Sequence, residues 1–216
     1  MISDFMNVFA KWSERIESAL EESTGARNDK DEGPRDELEY WKLRMRMLTT
    51  VSEQIRSPNC KNVQTVLTVH SSSDAKTPDT GIYLALSNWR SIELRVTENL
   101  NEAKDNVKYL QTLERFIEPL YDGTPNSIRE TLPVLMNSIK MIHTVARYYN
   151  TDERMTGLFV KITNQMIDNC KRHILTFKKD TGAKAPKSKK GGSGMDDSIL
   201  WEAEVIPHDE LIEVMS

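Results

Sequence analysis

At 216 residues, with a net charge of −4 and a mean hydropathy of −0.55, the chain has the length of one domain plus an appendage and a well-solvated surface. No run approaches the roughly 20 apolar residues of a membrane helix, and the acidic balance argues against nucleic acid, whose partners usually carry a basic stripe. The opening MISDFMNVFAKWSERIES is unlike a signal peptide, and Cys60 and Cys170 lack CxxC spacing, so an intracellular protein with two reduced thiols is expected, without disulfide or zinc.

Ser3 is placed to cap a first helix, whose apolar residues Phe5, Phe9, Trp12, Ile16 and Ala19 recur in steps of four and three until Thr24-Gly25. Pro34, with Asp36 and Glu37 beside it, suits the first turn of a second helix, where the macrodipole favours acids. That stripe runs through Leu38, Trp41, Met45, Leu48, Val51 or Ser52, and Ile55 to Ser57-Pro58. A shorter third helix carries Val63, Val66 and Val69, and SSSDAKTPDTG, residues 71–81, reads as a loop. The long fourth helix runs through Trp89, Ile92, Val96, Asn99, Ala103, Val107, Leu110, Leu113 and Ile117 to Pro119 and Asp122-Gly123. A fifth carries Leu132, Leu135, Ile139, Ile142, Ala146 and Tyr149, with Pro133 in its first turn. Thr151-Asp152-Glu153 opens the last, through Met155, Leu158 or Phe159, Ile162, Met166, Cys170 and Ile174. No segment alternates with period two, so the fold class is all-α, an antiparallel bundle of about six helices with Trp12, Trp41 and Trp89 as packing residues.

Catalytic motifs are missing from the sequence. There is neither GxxxxGK[ST] nor GxGxxG, no Gly-x-Ser-x-Gly elbow and no HExxH, and His70, His143, His173 and His208 include no i, i+4 pair. His143, beside Ile139 and Ile142, reads as a hydrogen-bonded, semi-buried histidine. Cys170 has Lys171, Arg172 and His173 beside it, a setting that can lower a thiol pKa, although solvated charge is the simpler account. The sequence therefore implies no catalytic residues, no cofactor and no metal site, and places function in the surfaces.

Three stretches carry a family likeness: GPRDELEYWKLRM (33–45), NEAKDNVKYLQTLERFIEPLY (101–121) and IKMIHTVARYYNTDERMTGLFVKITNQMIDNCK (139–171). Together they resemble the N-terminal tail region of axonemal dynein heavy chains, closest to the outer-arm gamma type, over residues 1–178. The resemblance implies a non-catalytic tail that builds the base of the arm by holding other dynein chains, docking proteins and assembly factors, in the cytoplasm and in the axoneme of the cilium or flagellum. The family's ATPase motor has no counterpart in these residues. SSSDAKTPDTG departs from the family as an extra loop.

Past residue 178 the composition splits. Residues 171–190 hold eight basic side chains against one acid, whereas residues 195–216 hold seven acids and no Lys or Arg; removing those seven moves the net charge from −4 to +3. KKGGSGMDDSILW places an initiator-like Met195 after a flexible Gly/Ser spacer, the mark of an engineered fusion. The expected organisation is a tail bundle over 1–178, a linker over 179–194, and over 195–216 an acidic, hydrophobic N-terminal motif from a docking, intermediate-chain or assembly factor. Its partner-binding residues are Ile199, Leu200, Trp201, Val205, Ile206, Leu211 and Ile212, with Trp201 the leading anchor. The groove that receives them is not specified by the sequence. The alternative is an independent helical adaptor with an autoinhibitory acidic tail.

Overall fold

The computed structural model describes residues 2–25, 33–73 and 80–182. Among these there are seven α-helices and no strand: α1 (Ile2–Gly25), α2 (Pro34–Ile55), α3 (Pro58–Ser73), α4 (Thr80–Leu110), α5 (Glu114–Asp122), α6 (Pro125–Val145) and α7 (Asp152–Gly182). The all-α bundle expected from the apolar spacing is the observed fold. The single long helix expected from Trp89 to Ile117 is interrupted by a 3₁₀ turn, Gln111–Leu113, that joins α4 to α5. The apolar steps explain it: Val107, Leu110 and Leu113 are spaced by threes, and a turn of three residues keeps Leu110 and Leu113 in line, where an α-helix would rotate them apart.

α4 is the central element, packing along α2 and against α1 and α3, while α5 pairs with α6. Phe9 of α1 stacks on Trp89 of α4 with ring centroids 4.4 Å apart. Trp41, Leu48, Ile92, Leu113, Leu120, Leu135 and Ile139 complete the buried interior. The helices up to Phe177 form one compact unit.

Helix ends follow local chemistry. At the start of α2, Asp36 Oδ2 accepts the Gly33 amide at 3.2 Å, and Gly33 is required because a Cβ there would collide with the Tyr121 hydroxyl. α6 begins at Pro125 and not near Pro133, since Thr124 caps it by accepting the Ser127 amide at 3.2 Å and Pro125 fills the first turn. Pro133 lies inside α6 on its exposed side. Ser3 is within α1 and caps nothing, because the helix already includes Ile2. In α3 the valine spacing misleads: Val66 and Val69 are exposed, and Cys60, Val63 and the fully buried Leu67 form the inner face. Of the loop expected over 71–81, residues 71–73 and 80–81 are helical and 74–79 lie outside the described residues.

Tyr149 is buried, as its place in the apolar series suggests, yet it does not belong to a helix. α6 stops at Val145, Ala146 turns to extended backbone, and Asp105 Oδ2 accepts the amides of Arg147 at 3.0 Å and Tyr148 at 3.4 Å. The α6–α7 connection is thereby pinned to α4. Thr151 then opens α7, its Oγ accepting the Arg154 amide at 3.4 Å.

Candidate interaction surface

A buried polar cluster surrounds Trp41. Glu37, only 2% exposed, accepts hydrogen bonds from Trp41 Nε1 at 3.0 Å, Tyr149 Oη at 3.0 Å and Lys161 Nζ at 2.6 Å. A carboxylate so far from water is tolerated only when it is paired and hydrogen-bonded. Arg44 donates to Asn99 Oδ1 at 2.6 Å and lies 3.9 Å from Glu102; Arg154 reaches Glu102 at 2.5 Å and the Tyr148 carbonyl at 2.6 Å. Both guanidiniums lie over the Trp41 ring, at 5.3 and 5.1 Å from its centroid. α2, α4, α7 and the α6–α7 connection thus meet in one network whose charges are spent on each other.

The inner face of α7 also closes the C-terminal end of α5. Gln165 donates to the Leu120 carbonyl at 3.3 Å, Asn169 to those of Tyr121 at 3.0 Å and Gly123 at 3.2 Å, and Arg172 to Tyr121 at 2.8 Å. His173 Nε2 sits 3.1 Å from the Gly123 carbonyl, to which it donates as the Nε2–H tautomer. These are the carbonyls a helix end leaves without intrahelical partners.

Arg172 and His173, expected as neighbours of the Cys170 thiol, are engaged with backbone carbonyls instead. Cys60 is half-buried, and burial pushes its thiol pKa up, partly opposed by a hydrogen bond with Ser57. His143 is exposed and not semi-buried: it lies about 100° round α6 from the buried Ile142, at the edge of the inner stripe. Among the described residues no group of three His, Cys, Asp or Glu side chains could hold a metal ion, and no helix is long and apolar enough to cross a membrane.

The remaining chemistry is on the outside. Val160, Ile167 and Ile174 of α7 are exposed, as are Val134, Met141 and Val145 of α6 and Tyr83 and Leu84 of α4. Ile174, expected on the inner stripe of α7, faces out, since seven-residue steps from Val160 carry it to the opposite side. Ile199, Leu200, Trp201, Val205, Ile206, Leu211 and Ile212 lie outside the described residues. The arrangement offers apolar faces on helices held in register by buried charge.

The family model described as "Dynein heavy chain, N-terminal region 1" matches residues 2–182. The chain belongs to the dynein heavy chain family. This dynein N-terminal region is 44% identical over 164 residues to "Dynein axonemal heavy chain 5" of Rattus norvegicus, covering 76% of this chain and 4% of the relative. It is 43% identical over 175 residues to "Dynein axonemal heavy chain 8" of Mus musculus, covering 81% and 4%. Against "Dynein gamma chain, flagellar outer arm" of Chlamydomonas reinhardtii it is 37% identical over 174 residues, again covering 81% and 4%. It therefore spans about 4% of the length of these relatives, and the part matched is the N-terminal region, not the motor. The stretches that carry the dynein resemblance also hold the polar network: Glu37 and Trp41 in the first, Glu102 and Asp105 in the second, Tyr149, Arg154 and Lys161 in the third.

Proposed function

We propose that residues 1–178 are a non-catalytic tail bundle of an outer-arm axonemal dynein heavy chain, working in arm assembly and protein–protein docking, in the cytoplasm and in the axoneme of cilium or flagellum. Residues 179–194 are a linker, engineered in its GGSG part, and residues 195–216 are the N-terminal motif of a binding partner joined to the tail it binds. The observation carrying this reading is that the dynein match ends at residue 182, and a Lys-rich run, GGSG and the segment opening at Met195 follow. The relatives' names, axonemal in two cases and outer-arm in the third, support the cellular setting.

The partner is a docking-complex subunit, an intermediate chain or an assembly or packaging factor, and other dynein chains bind the remaining faces of the bundle. Tethering replaces a bimolecular encounter with an effective concentration on the order of millimolar for a short flexible linker. Calorimetry tests the reading directly: synthetic 195–216 peptide is titrated into the full chain carrying Trp201→Ala, whose own segment is weakened. Binding in the low micromolar range or tighter, lost with a Trp201→Ala peptide, is expected. No heat at high peptide concentration removes the partner reading and leaves the dynein tail.

A further inference from the structure

A groove of about 530 Å³ runs between α1 and α4, inside the range of about 300–1,000 Å³ found for binding clefts. Both helices turn small side chains toward it, Ala10 and Ser13 from α1 and Ala85 from α4. Helices pack by seating the ridges of one in the furrows of the other, and where the ridge is only a methyl or a hydroxymethyl the space stays open. Phe9 lies at the base, 1% exposed and stacked on Trp89, so the floor is fixed to the core. Leu84 stands on the rim with 67% of its surface exposed. The groove is therefore apolar below and along one edge.

Its charge comes from α1. Glu14 and Glu17 line the groove, and no Lys or Arg does so among the described residues. Glu17 is partly engaged by Arg95 at 3.4 Å. Glu14 makes no ion pair or hydrogen bond among the described residues, and neither does the side chain of Asn88 on the α4 wall. An unneutralised carboxylate and an amide thus stand beside an apolar floor. A Lys or Arg side chain matches that combination, because its alkyl stem covers apolar surface while its head reaches the acid. An acidic peptide, or the phosphates of a nucleic acid, would be repelled. From Ala10 to Glu17 the α1 wall extends for about two turns, roughly 10 Å, which is enough for two anchors four residues apart on an incoming helix.

We infer that the groove between α1 and α4 is a docking site for a basic, amphipathic helix of a partner protein. One or two large apolar side chains enter between Leu84 and Ala10 over Phe9, and a Lys or Arg on the same face pairs with Glu14. The inference goes beyond the tail reading and is independent of what residues 195–216 are.

The test is a selection on the full chain from a display library of helix-forming peptides of about 16 residues, roughly four turns, in which acidic, basic and apolar residues are equally represented. Enriched peptides should carry large apolar residues four apart with Lys or Arg on the same face. Leu84→Glu should weaken their binding about tenfold or more, the scale of a buried apolar anchor. Ala10→Leu, which narrows the groove without adding charge and keeps a good helix former, should weaken it similarly. Glu14→Gln should cost about two- to fivefold and flatten the salt dependence, as a partly exposed ion pair does. Leu94→Glu, on α4 but outside the lining, should change nothing, and circular dichroism checks that every variant keeps its helix content. Enriched peptides that are acidic or uncharged overturn the inference. So does binding indifferent to both Leu84→Glu and Ala10→Leu, or a selection that enriches nothing. Sedimentation of the chain alone gives the remaining arm: a dimer that Leu84→Glu converts to monomer assigns the groove to a second copy and overturns the partner helix.

Discussion

Tyr149 and Glu37 are 112 positions apart, and the Tyr149 hydroxyl donates to Glu37 Oε1 at 3.0 Å inside the bundle. The bond joins the α6–α7 connection to the first turn of α2 and places a second donor on a carboxylate that Lys161 already neutralises. Tyr149→Phe should lower stability by about 1.5–3 kcal/mol, the usual worth of a hydrogen bond to a charged group. Lys161→Met should cost more, about 3 kcal/mol or above, by leaving a buried charge unpaired. Glu37→Gln combined with Lys161→Met should recover part of that loss. Urea unfolding of the four proteins checks the order, and a double variant no more stable than Lys161→Met would show that the charge is not the cause.

Asn106 of α4 is fully buried, and neither its Nδ2 nor its Oδ1 has a hydrogen-bond partner among the described residues. Replacing a desolvated amide by an apolar group of similar size removes a penalty of about 1–3 kcal/mol. Asn106→Leu should therefore raise the midpoint of thermal unfolding. A lower midpoint would mean that the amide is satisfied in solution.

Pro133 withholds the amide that would bond the Arg129 carbonyl within α6, and it does so on the exposed side. A proline inside a helix costs about 3 kcal/mol, partly offset because proline also restricts the unfolded chain by about 0.4–1 kcal/mol. Pro133→Ala should stabilise the bundle by about 2–2.5 kcal/mol in chemical denaturation. The same substitution at Pro125 should not, since a first-turn proline gives up no intrahelical bond.

Burial raises the Cys60 thiol pKa above its ordinary value. The fold therefore favours the neutral thiol: its stabilising contribution is present below the ordinary thiol pKa and is lost as pH rises through the raised value. Iodoacetamide rates at Cys60 should follow a pH curve displaced upward from that of the urea-unfolded chain. Coincident curves would contradict the burial.

The helical stripes are legible because each pairs a local signal with a periodic one. Leu38, Trp41, Leu48 and Ile55 fall on one face by spacing alone, and all four are buried. Helix starts are harder: Thr124-Pro125 and Pro133 both offer a proline, and only the cap bond from Ser127 distinguishes them. Tyr149 keeps the apolar rhythm of α6 after the helix has ended, because Asp105, far away in sequence, holds the backbone there. Pairings such as Lys161 with Glu37 depend on the register of two packed helices, which no local window contains. On the candidate surface, a single-stripe reading of α7 merges Ile174 with Ile162, whereas the bundle separates an inner from an outer series.

The contacts of α7 have a mechanical consequence. Lys161, Arg154 and Asn169 hold it to α2, α4 and α5 through bonds of fixed reach, distributed over about four turns. Sliding α7 along its axis by one turn, about 5.4 Å, would stretch all of them together beyond hydrogen-bonding distance. Apolar contact alone resists such shear weakly, because it is non-directional and one ridge can replace another. Force applied along α7 is accordingly carried into its neighbours as a near-rigid displacement, the behaviour of a strut and not of a spring.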